Sequence, residues 1–393
     1  MKKILVSSAL SALLVLPAAA LQVYENDGTS LDVYGSIRGY VGMGENAGCA
    51  DNRGNFLFGV QGNSHIGFNV SADKFKAKVE FGANELDNSV PTLTPLRFFW
   101  GSYNTGLGTI LVGKANTPTT DIFSTGVLNT DTALNGFGGL GTSTRRLQLQ
   151  YNIAGLSLAL ISDYLGESIG LSNGQSNGTG ANTTMPRIAL SYTLYGDGGS
   201  PLFQVAGTYK RFNSGAATSY TTTSYTTTSY TNVIATRLPL GTEKDAWHIS
   251  VGTKPTFGNN FISLFAHYGK NQHFYGETGT SYNGGNFNHS GVQVTSTNGD
   301  VKRSGVKAEL GIGLSKDATF TLGAGYQQTF GDTQGYYNSI GVFAQVPYKV
   351  SANFVLTPVV GWFQTAGKDG AKVESNIDKV TSAVGAVRVM WNF

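Results

Sequence analysis

Short stretches in which apolar and polar residues alternate recur along the whole chain. In the first of them, residues 31–41, the apolar Leu31, Val33, Ile37 and Val41 share one parity, and mainly polar or charged side chains occupy the other. An alternation with period two indicates β-strands whose two faces meet different surroundings. A strand of this length is also long enough to cross a bilayer when it is tilted. The pattern therefore predicts an all-β chain and raises the possibility of a membrane barrel.

About sixteen such segments follow one another, from 31–41 to 382–393. The connections between them alternate in length, because some are as short as 72–74 whereas others, such as 164–186 and 212–246, are long. An even number of strands, with short turns at one end and long loops at the other, is typical of bacterial outer-membrane barrels. We therefore predict a transmembrane antiparallel β-barrel of about 16 strands in a single domain.

The composition fits a protein surface that is partly out of water. Charged residues make up 13% of the chain, against roughly 25% in an average soluble domain, and there are 22 Phe and 19 Tyr. After the N-terminal segment no apolar run is long enough for a membrane-spanning helix, so strands are left as the only way to cross. The 27 basic and 24 acidic residues nearly balance, which gives no indication of nucleic-acid binding.

The N-terminal segment has the features of an export signal. Lys2 and Lys3 precede an apolar run over residues 4–16, and small residues follow up to Ala20. This arrangement predicts a Sec signal peptide over residues 1–20 that is cleaved near Ala20, leaving the barrel domain at 21–393.

The C-terminal strand alternates up to the last residue. Val387, Val389, Trp391 and Phe393 share one parity, and the chain ends on the aromatic ring. A terminal Phe preceded by alternating apolar residues resembles the signal that the barrel-assembly machinery recognises, so we expect Trp391 and Phe393 to serve in assembly. The expected location is the outer membrane.

The regular pattern breaks once, between residues 115 and 142. These residues are mainly Thr, Asn, Gly and isolated apolar side chains, with the two acids Asp121 and Asp131 and no clear period. Long irregular inserts in ordered proteins are usually functional or disordered. We expect this insert to fold into the barrel and narrow its bore.

Several motifs resemble the trimeric general porins of Gram-negative bacteria. The run from Gln22 to Gly35, the segment 101–114 before the long insert, the Asn135–Gly139 run, the segment 145–166 and the last strand occur in that family's order. The resemblance implies that the third loop folds inward to form a constriction and that the subunits form a homotrimer. It further implies contact with outer-membrane lipids and lipopolysaccharide.

Candidate constriction residues come from the alternation and from the resemblance. On parity we expect Arg38, Lys78, Arg97 and Arg146 to form a basic wall, and by resemblance Lys114 joins them. Arginine suits such a wall because it stays charged and its guanidinium can stand beside like charges. The insert would supply Asp121 and Asp131 as the opposing edge, so that a transverse field crosses the narrowest water.

The insert departs from the family in two ways. Its acids lie ten positions apart instead of close together, and the run at 135–139 begins Asn-Gly where the family commonly has Pro-Glu. We therefore expect a weaker acidic edge, which leans the pore away from strong cation preference.

The predicted function is passive diffusion of small hydrophilic solutes and ions through a water-filled channel. One alternative is a solute-selective channel of the same architecture with an aromatic track of Tyr34, Tyr40, Phe99 and Tyr103. Another is an adhesin or receptor that binds through the Ser-Tyr-Thr repeat at 219–231. We expect no enzymatic activity, no cofactor and no metal site, since no nucleophile elbow and no ligand spacing of the His residues occurs.

Overall fold

A computed structural model describes residues 20–45, 55–82, 96–141, 144–162, 185–213, 243–272, 300–331, 336–369 and 379–393. Nearly all regular structure in these residues is β. The strands are β1 Leu21–Asn26, β2 Thr29–Glu45, β3 Asn55–Val60, β4 His65–Ala72, β5 Phe75–Gly82, β6 Leu96–Asn104, β7 Thr109–Asn116, β8 Arg145–Ile153, β9 Leu156–Ser162, β10 Arg187–Tyr195, β11 Pro201–Asn213, β12 Glu243–Thr253, β13 Thr256–Phe257, β14 Asn260–Lys270, β15 Val301–Gly313, β16 Thr319–Gly331, β17 Tyr336–Gln345, β18 Tyr348–Lys349, β19 Phe354–Lys368 and β20 Lys379–Asn392. A single helical turn, α1, spans Leu128–Asp131.

The strands form one antiparallel sheet that closes on itself. The first long strand, β2, pairs with β3 and β4 along one edge and with the last strand, β20, along the other. Because β3 and β4 are successive halves of one strand and β1, β13 and β18 are short additions, sixteen strands make up the barrel in the described part of the chain. The predicted fold class and strand number are confirmed.

The two faces of the wall are inverted relative to a soluble barrel. Large apolar side chains on one set of rows stay exposed on the outside, as with Ile37, Phe68 and Leu149. The opposite rows, which point inward, carry buried polar side chains such as Gln148 and Thr208. Lipid solvates the outside of a membrane barrel and water fills its bore, so this inversion is the pattern that a membrane barrel requires.

The two chain ends meet on the edge of β2. A two-residue turn at Asp27 and Gly28, both with positive φ, folds β1 back onto the start of β2. Gly35 and Phe393 exchange backbone hydrogen bonds of 2.8 and 3.1 Å, so β20 ends where the pairing of β1 begins. A side chain at position 35 would collide with the Phe393 ring, which explains why glycine stands there.

The connections at this end of the barrel are short, as the sequence predicts. Examples are the turns at Asp73 and Lys74 and at Ala154 and Gly155. Within the residues that the structure describes, no helix is long and apolar enough to span a bilayer. The predicted signal segment apart from Ala20, and the Ser-Tyr-Thr repeat at 219–231, lie outside the described residues.

Candidate functional site

The insert after β7 folds into the barrel, as predicted. Its two ends are tied together by hydrogen bonds among the hydroxyls of Thr117, Thr120 and Thr144. From there the chain runs along the inner face of the wall to β11, where Gln204 Nε2 donates to the Pro118 carbonyl at 3.5 Å. Farther along, Ser263 Oγ of β14 donates to the Phe123 carbonyl at 3.0 Å. The insert thus follows the inner face of the wall instead of extending from its rim.

Apolar side chains seat the insert against the inner wall. Phe123 packs with Leu140 and Phe265, and a larger cluster joins insert residues to inward residues of β2, β17, β19 and β20. The insert members of that larger cluster are Val127, Leu128, Ala133, Leu134 and Phe137. These five insert side chains, and the three of the Phe123 cluster, are at most 4% exposed. Their burial makes the insert a fixed part of the wall, since each fully buried large apolar side chain contributes about 1.5–3 kcal/mol.

Wall glycines provide the room for this seat. A Cβ at Gly252 would overlap the Phe123 ring, one at Gly361 would lie 2.7 Å from Leu128 Cδ1, and one at Gly325 would overlap the Phe137 carbonyl oxygen. Such distances are too short for any real side chain. The inward glycines therefore allow the insert to approach the sheet closely.

The first insert acid, Asp121, is an internal anchor. Its carboxylate lies 2.8 Å from Lys307 Nζ of β15, and both side chains are almost fully buried. Glu309, two residues along the same inward row, is 3.4 Å from the lysine and accepts a 2.9 Å hydrogen bond from the Thr125 amide. Burial raises the pKa of Asp121 above its usual value, and the Lys307 charge opposes that rise. Asp121 therefore holds the insert in place and does not face open water.

The second insert acid, Asp131, lies at the end of α1 and joins three wall residues. Its two oxygens pair separately with Arg38 of β2 and Arg388 of β20, and Asn63 Nδ2 donates to it at 2.7 Å. The Asp131 side chain keeps 36% exposure, unlike that of Asp121. Burial alone would raise its pKa, but the two arginines outweigh this and hold the pKa below its usual value. Asp131 is thus the more exposed of the two insert acids.

A buried glutamate organises the basic wall. Glu80 of β5 is 2% exposed and accepts hydrogen bonds from Arg97 Nε at 2.6 Å and Tyr34 Oη at 2.8 Å. Lys78 Nζ lies 3.4 Å from the same carboxylate. The cations of β5 and β6 therefore stand around one negative charge, which offsets their mutual repulsion.

Aromatic rings hold two of the wall cations. Lys78 Nζ lies 4.6 Å from the centre of the Phe98 ring and 4.8 Å from that of Tyr34. The Arg145 guanidinium lies 4.8 Å from the centre of the Phe98 ring. Cation–π contacts of this kind orient a charge without neutralising it. Phe98 therefore fixes the positions of both side chains in the lumen.

The structure brings Arg38, Lys78 and Arg97 to one side of the lumen. Arg38 and Lys78 lie on inward rows by simple alternation. Arg97 reaches the lumen differently, because Glu80 pairs with Phe98 and Phe81 pairs with Leu96, which leaves Arg97 as the extra residue of a β-bulge. A bulge redirects a side chain, and here it turns Arg97 toward Glu80.

Lys114 and Arg146 are placed on opposite faces. Arg146 shares the inward parity of Gln148 on β8, and its guanidinium donates to the Arg145 carbonyl at 3.0 Å. Lys114 is paired with Phe99 and Leu147, which are 59% and 58% exposed on the outside. Directly opposite residues in a ladder share a face, so Lys114 lies on an outward row and does not join the basic wall.

Five charged residues of this region were not among the sequence candidates: Glu80, Arg145, Lys307, Glu309 and Arg388. Glu80 shares the inward parity of Lys78, and Arg388 shares that of the buried Val384. The alternation in the sequence therefore already indicates that both side chains point inward. Lys307 and Glu309 form a similar inward pair on β15. The parity signal was therefore present for these four residues, but Arg145 shares the parity of the outward Leu147 and could not be found in this way. The contacts of all five residues depend on distant parts of the chain.

The predicted aromatic track is wrong. Tyr34 and Tyr40 are buried on inward rows, whereas Phe99 and Tyr103 are exposed on the outside of β6. Even-numbered residues point inward on β2 and, from Phe98 onward, on β6, so the odd-numbered Phe99 and Tyr103 face away from the lumen. The four rings cannot line one solute path.

Four large aromatic residues lie on the outside of the barrel, where rings of this kind gather at membrane interfaces. Tyr268, Tyr326, Trp362 and Trp391 are all 39–50% exposed on outward rows. Trp391 also packs near Phe393, with ring centres 5.9 Å apart. This position leaves both C-terminal aromatics at the end of the barrel where β1 and β20 meet.

Solved structures of known proteins share this architecture. The outer-membrane channel DcaP of Acinetobacter baumannii superposes with a TM-score of 0.63 at 13% identity, over 94% of this chain and 99% of that one. The chain has the porin fold. An anion-selective porin from Comamonas acidovorans matches with a TM-score of 0.56 at 12% identity, over 93% and 100% of the two chains. In-vitro folded OmpT of Vibrio cholerae, in its trimer form, matches with a TM-score of 0.55 at 13% identity, over 93% of this chain and 100% of that one.

The porin fold is thus reached with little sequence similarity. No family model matches the chain, and no curated protein matches it either. The likeness to porins lies in the backbone of the barrel.

Proposed function

We propose that the protein is an outer-membrane porin through which small hydrophilic solutes and ions diffuse passively. The observation that carries the proposal is the inverted barrel: apolar rows face outward, polar and charged rows face inward, and the described part of the insert, 115–141, packs against the inner wall. A polar bore across an apolar belt stabilises water and dissolved solutes where lipid would exclude them.

The charge of the lumen favours anions. Among the described residues, the buried charged side chains are five basic, Arg187, Lys210, Arg303, Lys307 and Arg388, and three acidic, Glu80, Asp121 and Glu309. Asp121 is paired with Lys307, and Asp131 is shared by two arginines. Among the described residues around Glu80 and Asp131, five cations stand against these two acids, so the field in this region should attract anions. The five are Arg38, Lys78, Arg97, Arg145 and Arg388. One of the similar structures is also an anion-selective porin.

We infer that the protein works as a homotrimer. The proposal is supported by the similar OmpT structure, which is a trimer form, and by the porin motifs in the sequence. Residues 1–20 would act as the export signal, and Trp391 and Phe393 as the assembly signal for the barrel machinery. N-terminal sequencing of the membrane-inserted protein tests the first point, since mature chains should begin near Leu21.

Liposome swelling with sugars of increasing size tests the channel proposal. Vesicles that contain the refolded protein should swell in small sugars at rates that fall steadily with solute size and do not saturate. Saturation by one sugar would indicate a solute-selective channel instead. Vesicles that swell no faster than protein-free controls would contradict the proposal.

A further inference from the structure

A second group of basic side chains lies on the inner wall, apart from the basic wall around Glu80. The inward rows of the neighbouring strands β10, β11, β12, β14 and β15 all contribute basic residues near the long-loop end of the barrel. Five of them are at most 5% exposed, namely Arg187, Lys210, His248, His267 and Arg303. Buried basic groups are costly to place together, so this patch of wall is a candidate for a separate role.

Gly269 of β14 brings the centre of this patch together. It pairs with His248 of β12 on one side and with Arg303 of β15 on the other. Neighbouring strands lie about 4.8 Å apart, so the backbones of His248 and Arg303 are about 10 Å from each other across the glycine. A Cβ at position 269 would lie 2.5 Å from the His248 Cβ and would overlap Gln272 Nε2. The Gln272 amide therefore lies over the glycine, between the histidine and the arginine.

Gln272 and His267 turn polar atoms toward the same point. His267 lies two residues before Gly269 on one inward row, and its Nε2 atom lies over Gly305, two residues from Arg303. Gln272 is 1% exposed and His267 is 5% exposed. Neither the amide atoms of Gln272 nor the ring nitrogens of His267 form a hydrogen bond with any residue that the structure describes. Most buried polar groups in proteins have a partner, so these atoms indicate the position of a ligand.

The described surroundings of this point are positive. Arg187 and Lys210 occupy facing inward positions on β10 and β11 and extend the basic patch along the wall. Asp300, the acid just before β15, is engaged by Lys244 at 3.2 Å and by Lys270. The patch therefore gives this part of the wall a positive potential, which attracts anions.

We propose that this patch binds a phosphate group, with Arg303 as its charged partner and the Gln272 amide and the His267 ring as hydrogen-bond donors. The donors approach the space over Gly269 from different strands and in different directions. A tetrahedral phosphate presents oxygens in all of these directions, whereas the two oxygens of a carboxylate lie in one plane. An arginine fork also binds phosphate oxygens in pairs. Entry of the phosphate from the lumen rests on the proposed function.

Isothermal titration calorimetry of the purified full-length protein in detergent tests the site, with inorganic phosphate as the probe. The wild type should bind one phosphate per chain. Arg303→Gln should weaken binding about tenfold or more, because a hydrogen bond to a charged group is worth at least about a factor of ten in affinity. Gln272→Leu, which keeps the size and charge of the side chain, should weaken binding about threefold. Lys302→Gln removes the outward neighbour of Arg303 and should leave the affinity unchanged.

Two further probes identify the ligand. Binding of glycerol phosphate as tightly as inorganic phosphate would support phosphate esters as ligands, and binding of inorganic phosphate alone would support the free ion. Succinate that binds as tightly as phosphate would overturn the proposal, because the site would then not select a tetrahedral anion.

The proposal would also be overturned by a wild type that binds no phosphate, or by equal losses in R303Q and K302Q. Circular dichroism confirms that the barrel of each variant has formed, and Gln272→Leu decides the outcome if Arg303→Gln does not fold. Channel conductance in planar bilayers is measured on the same samples. A protein that conducts without binding phosphate sinks only this inference, and one that binds without conducting sinks only the channel.

Discussion

Glu80 accepts a 2.6 Å hydrogen bond from Arg97, and only a β-bulge makes this possible. The extra residue in β6 turns the arginine inward to a glutamate that is 2% exposed. The pair lies within the basic wall, next to Lys78. Local strand geometry and lumen electrostatics are therefore linked at this point.

Replacing this buried acid should affect both stability and selectivity. In Glu80→Gln the carboxylate no longer compensates Arg97 and Lys78, so the free energy of unfolding should fall by about 1–3 kcal/mol, and the pore should prefer anions more strongly. Urea unfolding in lipid vesicles and reversal potentials measure the two effects. Glu243→Gln is the matched control, because its ion pair with Arg211 is 59% and 47% exposed and should contribute less than about 1 kcal/mol. Equal effects of the two substitutions would argue against a special role for Glu80.

Lowering the pH should destabilise the part of the insert around Asp131, because protonation of this carboxyl weakens its pairing with Arg38 and Arg388. Arg38 and Arg388 hold the pKa of this carboxyl below its ordinary value of 3.8. The ionised acid therefore contributes stability above pH 3.8, and this contribution is lost as the pH falls through the lower pKa of the folded state. Single-channel recordings should become noisier only in that acid range.

Asp131→Asn should show the same noise already at neutral pH, because the amide cannot neutralise the two arginines. Asp317→Asn, at an exposed turn next to Lys316, provides the control and should behave as the wild type. Quiet recordings from Asp131→Asn at neutral pH would mean that the pairing with the arginines does not hold the insert.

The wall glycine Gly325 should not tolerate a methyl group, because the backbone of the insert lies directly against it. In Gly325→Ala the new Cβ would overlap the Phe137 carbonyl oxygen, so the insert must shift, which costs about 1–3 kcal/mol and changes the single-channel conductance. Gly207→Ala is the control, because a Cβ there meets its neighbours at 3.5 Å or more. Indistinguishable conductance and stability of the two variants would remove the evidence for a tightly seated insert.

Lys114 and Arg146 should differ in their effect on selectivity. Lys114→Leu replaces a cation on the outward row of Phe99 and Leu147, so the ion selectivity should stay unchanged, and the stability in lipid should stay equal or rise. Arg146→Leu removes an inward cation and should lower the anion preference. Both are measured by reversal potentials in a salt gradient. A selectivity change in Lys114→Leu as large as that in Arg146→Leu would place the lysine in the pore.

The sequence predicts the barrel better than it predicts the site. Strand periodicity depends on each segment alone, so sixteen strands and the inward parity of Arg38 and Lys78 follow from the residues. The parity argument also puts Arg97 inward, but its actual direction depends on a bulge whose register is set by β5, because the neighbouring Phe98 already takes the inward position. Asp121 was expected to face the pore, but Lys307, far away in the chain, takes it into the wall. Long-range pairing of this kind leaves no local pattern.

The central claim is a water-filled channel whose lumen attracts anions, and the reversal potential in a KCl gradient tests it most directly. Purified protein in a planar bilayer should conduct, and the sign of the potential should show chloride crossing more readily than potassium. Arg38→Gln/Arg388→Gln should reduce this preference, since it removes the two cations that hold Asp131. A potential whose sign shows potassium preference in the wild type would contradict the account.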